Sequence, residues 1–131
     1  MTKTLIVGAA VVRKGNLWLI AQRDAANRFI PNLWEFPGGK LEAGETLPEC
    51  IQREIMEEIG ISIAVESFFQ QVTYDYAPDF RVQLNAYLCR WLEGEAEPRG
   101  CQAVRWLTLD QFKDYQFAPA DIPIVEQLAA K

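Results

Sequence analysis

Residues 39–61, GKLEAGETLPECIQREIMEEIGI, constrain this chain more than any other stretch. Thr46 can cap a helix with its hydroxyl while Glu49, three residues on, closes a capping box. Pro48 is tolerated in a first turn that does not use its amide hydrogen. Leu47, Ile51, Ile55 and Ile59 recur every four residues and form one apolar stripe, and Gly60 is a suitable stop. Beside the stripe, Glu54, Glu57 and Glu58 span roughly a 100° arc of the helix. Three carboxylates this close repel one another unless a cation sits among them. Magnesium suits them, because it takes oxygen ligands and shares them with a substrate's phosphates. Gly38 and Gly39 let backbone approach the same place. The competing reading is a solvated acidic helix face.

The rest of the chain reads as a mixture of strands and short helices. Thr4–Val12 and Leu17–Ala21 are apolar runs joined at Lys14-Gly15-Asn16, which predicts a hairpin. Residues 24–33 are expected to form a loop, Trp34-Glu35-Phe36 a short strand, and Pro37-Gly38-Gly39 a glycine-rich loop. Strands are expected near 61–66, 68–76, 81–91 and 104–107, with a polar loop at 93–100. A short helix is expected near Leu109 and a final one behind Asp121, with Pro123 in its first turn. A mixed sheet with helices on its faces follows.

Composition narrows the chemistry. At 131 residues the chain is expected to be one domain, and half of its residues are hydrophobic, enough for a core. A net charge of -5 argues against wholesale binding to a nucleic-acid backbone, but it permits a small phosphate substrate beside a metal ion. With no histidine, the Ser-His and Cys-His nucleophile pairs and the common zinc sites are excluded. Cys50, Cys89 and Cys101 are odd in number and lack CxxC spacing, so they read as reduced core thiols of a cytoplasmic protein. The N-terminal apolar run is too short to span a bilayer.

The 39–61 stretch also resembles the signature of the Nudix hydrolases. Gly39, Glu45, Arg53, Glu54, Ile55, Glu57, Glu58, Gly60 and Ile61 fall on its fixed positions. The resemblance implies an α/β/α sandwich with a mixed parallel and antiparallel sheet, covering residues 1–131 as a single domain. It implies Glu54, Glu57, Glu58 and the Gly38 carbonyl as ligands of Mg2+, with Mn2+ as a substitute. It also implies Arg53 and Glu45 as an orienting ion pair, Lys40 on a phosphate oxygen, and Glu54 as first choice for general base. In many relatives of the MutT type a further glutamate lies late in the chain. Here its position falls on Gly100, leaving Glu95 and Glu97 either as substitutes or as solvated loop charges.

Trp34 to Lys40 and the tail Phe117-Ala118-Pro119-Ala120-Asp121-Ile122-Pro123 resemble the MutT branch, whose members remove oxidised nucleotides. There the position of Asp121 reads the base edge. As an ionised carboxylate it would accept hydrogen bonds from guanine, 8-oxoguanine or the cytosine amino group; its other reading is a helix cap. Gln22 and Arg23 fall where the family places substrate-contacting side chains. Phe36, Tyr74, Tyr76, Phe80 and Phe117 are candidates for base stacking or for core packing. The expected activity is hydrolysis of a nucleoside triphosphate to the monophosphate and pyrophosphate, with 8-oxo-dGTP first and (d)CTP or a modified pyrimidine nucleotide second. A non-catalytic nucleotide-binding module is the alternative of a different class. The expected partner is that small nucleotide, with neither nucleic acid nor membrane, and the chain is a monomer or homodimer.

Overall fold

The computed structural model describes residues 2–130. Its centre is β1 (Lys3–Lys14), whose alternation buries both faces. Ala9 and Val11 pack on one side of the sheet, Ala10 and Val12 on the other. Along one edge β1 pairs in parallel with β6 (Phe80–Glu93), from Lys3↔Phe80 to Arg13↔Arg90. Its other edge is divided. β2 (Leu17–Gln22) bonds only at Arg13 and Lys14, after a turn in which Gly15 takes φ +64°. The expected hairpin therefore closes at its turn and then splays. The gap takes the chain from β3 (Trp34–Glu35), which pairs with β2, to β4 (Gly38–Lys40), which pairs with Val7–Ala9 of β1. The Pro37 carbonyl accepts the Ala10 N–H at 2.8 Å.

Two expectations are corrected here. Gly38-Gly39-Lys40 is a strand rather than a loop. A Cβ at Gly38 would collide with the Gly8 carbonyl, so only glycine allows β4 to lie against β1. The strands expected at 61–66 and 68–76 are one strand, β5 (Ser62–Ala77), antiparallel to β6. Register shifts at Val65/Ser67, Phe68/Gln70 and Asp75/Ala77 interrupt its alternation, and that is what made it look broken in sequence. β7 (Ala103–Leu107) completes the seven-stranded sheet against β2.

Helix α1 (Leu47–Glu58) covers one face. Ile51, Ile55 and Ile59 are fully buried there against Ala10, Val12, Leu19 and Ile61, contributing roughly 1.5–3 kcal/mol each. The capping box forms: the Glu49 N–H donates to the Thr46 hydroxyl at 3.3 Å and the Thr46 N–H to the Glu49 carboxylate at 2.9 Å. Gly60 follows at φ +82°, a conformation that L side chains rarely adopt. A 3-10 helix (Leu109–Asp114) and α2 (Ile122–Ala129) cover the other face, where Phe112, Ile124 and Leu128 pack with Phe36 and Phe117. The layers are helix, mixed sheet, helix. Among the described residues no helix is long and apolar enough to cross a membrane.

Candidate active site

Where β1 and β2 part, a cleft of about 500 Å³ opens over the β3–β4 segment. Gly38, Gly39, Lys40, Glu54 and Glu58 line one end, and Phe36 and Asp121 line the other. Arg23 and Glu35 also line it, and Leu5, Val7, Phe29, Tyr76, Phe80, Val82 and Leu84 supply apolar wall. The cleft thus gathers most of the residues singled out in sequence. Glu57, Arg53 and Glu45 stand beside it.

The acidic end is organised by Arg53. Its Nε and Nη2 donate to the Glu45 carboxylate at 2.6 and 2.9 Å. Its Nη1 donates to Glu54 at 2.8 Å and Glu57 at 3.0 Å, and Nη2 also donates to the Lys40 carbonyl at 3.2 Å. This fork holds the helix carboxylates to the β4 segment. It holds the Glu45 carboxyl down at about 2, chiefly through the Arg53 hydrogen bonds, and raises the Arg53 guanidinium. Gly39 is needed by its neighbour: a Cβ there would strike the Glu54 carboxylate.

Glu58 faces the cleft instead of Arg53. Burial, and then the charge of Glu54, push its carboxyl above the ordinary range. Glu54 and Glu58 line the cleft and Glu57 stands beside them, close enough to act on the Glu58 carboxyl. Glu54 and Glu57 share the guanidinium, and Glu57 stays largely exposed. Among the described residues no three acidic, cysteine or histidine side chains form a ready-made metal cage. The donor set still suits a hard divalent cation: every donor is oxygen, and the Glu54–Glu58 repulsion is the kind that a cation relieves.

The loop after β6 does not carry a carboxylate into the cleft. The Glu97 N–H donates to the Ile59 carbonyl at 2.9 Å, and the Arg99 and Gly100 N–H groups donate to the Glu58 carbonyl at 2.9 and 3.1 Å. This loop closes the C-terminus of α1. A Cβ at Gly100 would stand 2.8 Å from the Glu58 carboxyl carbon. Glu97 pairs with Arg99 at 3.0 Å, and Glu95 is exposed.

At the far end, Asp121 corrects one of its two sequence readings, the helix cap. It makes no side-chain cap on α2. It is 4% exposed, and its Oδ1 accepts the Phe36 N–H at 3.0 Å across 85 residues of sequence. Burial, followed by the nearby Glu35, raises its carboxyl well above the ordinary value, against the pull of the Phe36 N–H and of Arg23. Phe36 and Phe117 belong to the core, with ring centroids 6.0 Å apart. Tyr74 packs on Tyr76 at 4.7 Å, and Gln22 bonds the Asn32 carbonyl at 3.1 Å. The Tyr76 hydroxyl accepts the Ala120 N–H at 3.3 Å, and burial pushes it up to about 12.

Sequence reasoning missed Glu35 and Phe29. Glu35 is pushed up to about 7 by burial, against the opposing pull of Arg23, whose Nη1 donates to it at 3.1 Å. The available signal was one acid between Trp34 and Phe36 in a strand leading to the glycines. Phe29, an aromatic in a polar loop, stacks on Phe80 at 5.2 Å.

The known proteins that this chain resembles agree with this geometry. A NUDIX domain matches residues 2–128. The chain belongs to the Nudix family. It is 33% identical over 126 residues to the 8-oxo-dGTP diphosphatase of Escherichia coli (strain K12), covering 96% of this chain and 97% of that protein. To the CTP pyrophosphohydrolase of the same organism it is 31% identical over 128 residues, covering 98% of this chain and 93% of that one. The MutT NUDIX hydrolase from Burkholderia pseudomallei shares the fold, with a TM-score of 0.85 at 24% identity over 96% of this chain and 98% of that one. This Nudix chain is accordingly a hydrolase.

Proposed function

We propose that the chain is a magnesium-dependent nucleoside triphosphate pyrophosphohydrolase, converting a triphosphate and water into the nucleoside monophosphate and pyrophosphate. The observation that carries this reading is the cleft itself, with oxygen donors and Lys40 at one end and a base-sized wall with Asp121 at the other. Glu54, Glu57, Glu58 and the Gly38 carbonyl would hold Mg2+ or Mn2+. When bound, such an ion supplies a Lewis acid on the phosphate oxygens and a more acidic water.

Glu54 is the residue best placed to take a proton from the attacking water. It lies in the cleft, Arg53 fixes its orientation at 2.8 Å, and Gly39 leaves its carboxylate room. Lys40 stands by for a phosphate oxygen. Phe29, Phe80 and Leu84 offer apolar surface to the base. Asp121, in the cleft wall with its Oδ1 bonded to the Phe36 N–H, is the candidate for contact with the base edge. The diphosphatase relative favours 8-oxo-dGTP. The second reading, (d)CTP, rests on the CTP pyrophosphohydrolase relative. A cytoplasmic, nucleotide-pool role belongs to the same proposal.

The test is pyrophosphate release from canonical and oxidised nucleotides with magnesium, scored by kcat/KM. Preference for 8-oxo-dGTP is the expected result. Preference for CTP or dCTP moves the substrate to the second reading. Pyrophosphate from none of them, with retained nucleotide binding, makes the chain a binding module.

A further inference from the structure

Arg23 is held firmly by its backbone and loosely by its side chain. Its N–H donates to the Leu33 carbonyl at 2.8 Å, and its own carbonyl accepts from Gln102 Nε2 at 3.2 Å. Both ends of the 24–33 loop are thereby fixed at the rim of the cleft. The guanidinium has five N–H donors, and its Nη1 bonds Glu35 at 3.1 Å. Its Nε is sealed from solvent and has no hydrogen-bond partner. Buried donors are normally satisfied, so the guanidinium is under-satisfied in the free chain, while its side chain is 34% exposed at the cleft wall, where its other donors can meet a ligand acceptor. The group also lies in the field of Glu58 at the acidic end and Asp121 at the base end.

Glu35 is the fixed point of this arrangement. Its backbone pairs with Ala21, and the strand around it is bonded on both sides, from the Trp34 N–H to the Gln116 carbonyl at 2.9 Å and from the Phe36 N–H to Asp121 at 3.0 Å. Its side chain is only 17% exposed. We propose that Glu35 is a positioning residue: it grips one edge of the Arg23 guanidinium, so that the remaining donors meet an acceptor oxygen of the nucleotide between its base and its outer phosphates. This rests on the triphosphate reading above. A bidentate or forked guanidinium works only when its plane is set beforehand, and a short, rigidly mounted carboxylate sets it.

The test is a double-mutant cycle on the full chain with the best nucleoside triphosphate found in the panel. Glu35→Ala and Arg23→Ala are each expected to raise KM about tenfold while kcat stays within about threefold, the pattern of lost uniform binding. The double variant is expected to be no worse than either single one, because the second change removes nothing further. Glu35→Gln keeps an acceptor oxygen for Nη1 and recovers most of the KM lost in Glu35→Ala. The Kd of the nucleoside monophosphate product, measured by calorimetry, follows the same order. If Glu35→Ala does not fold, Glu35→Asp keeps the charge but withdraws the acceptor, and KM is expected to rise at least threefold, or about 0.65 kcal/mol.

Multiplied KM effects in the double variant would overturn the proposal. So would a lower melting temperature with unchanged KM, or a loss confined to kcat. If the unaltered chain releases pyrophosphate from no triphosphate, the functional reading fails and this inference with it; if it does and the cycle is multiplicative, only the inference fails.

Discussion

The two ends of the cleft hold their carboxylates differently: Glu45, Glu54, Glu57 and Glu58 at the α1 end, Glu35 and Asp121 at the β3 end. At the α1 end, Arg53 is a single cation touching three of them, Glu45, Glu54 and Glu57. The direct ion pairs offset the cost of taking charge from water, and Glu45 falls to about 2. At the β3 end, Arg23 touches one, Glu35, through one bond, and Asp121 has only a backbone N–H. There burial outweighs attraction and both acids rise. One end therefore ties most of its carboxylates to a guanidinium, and the other raises both of its acids by burial.

The largest expected effect breaks the acidic end. Glu54→Gln keeps the shape but removes the base, and kcat is expected to fall about a hundredfold or more. Stopped assays on Glu54→Gln, Glu95→Gln and Glu97→Gln check this. A larger loss at Glu95 or Glu97 would mean that the loop swings in from its place against α1.

Next comes Glu58→Gln. It removes a carboxylate that burial and Glu54 already disfavour, so melting temperature without metal should hold or rise slightly. Activity at limiting magnesium should drop, with part of it recovered at high magnesium. Full activity at limiting magnesium would remove Glu58 from the ligand set.

The contrast between the ends also marks what the sequence made legible. Helix α1 could be read almost residue by residue, because its cap, stripe and stop are local, within four residues of one another. The layered mixed sheet followed from the same patterning and from the family resemblance. The long β5 was not legible, because each bulge shifts the alternation that reveals a strand. Asp121 lines the cleft, but its helix-cap reading failed. Its partner Phe36 lies 85 residues away, and burial deep enough to raise an acid leaves no mark on neighbouring residues. Glu35 was passed over for the same reason. The seat of Gly100 against Glu58 gives a physical ground for the missing loop glutamate, which in sequence was only a gap in a pattern.

The base end is sharpened by two changes at Asp121. Asp121→Ala is expected to cost about 1–3 kcal/mol in kcat/KM for the best substrate. If the acid reads the base in its protonated form, Asp121→Asn, which also offers one donor and one acceptor, should cost far less. Equal losses in both variants would mean that the ionised carboxylate reads the base, and equal slowing of every nucleotide by Asp121→Ala would confine the residue to its bond with Phe36.

The smallest effect is on stability against pH, and it separates the two ends without any substrate. Glu35 rises to about 7 and Asp121 rises with it, while an unfolded glutamate titrates near 4.5. Between those values the unfolded chain loses protons that the folded chain keeps. The contribution of Glu35 is thus complete below about pH 4.5 and is lost as pH climbs toward 7, at no more than about 1.4 kcal/mol per pH unit, and that of Asp121 is lost in the same direction as pH rises. Glu45 works in the other direction: its contribution is present above pH 4.5 and is lost as pH falls through about 2. Urea unfolding from pH 4 to 8 should show Glu35→Gln gaining on the unaltered chain as pH rises, by on the order of 1–3 kcal/mol in all. Because the two acids titrate as a pair, Asp121→Asn should flatten the same window. Parallel curves for all three proteins would mean that water or Arg23 keeps both acids charged, and the two ends of the cleft would then be electrostatically alike.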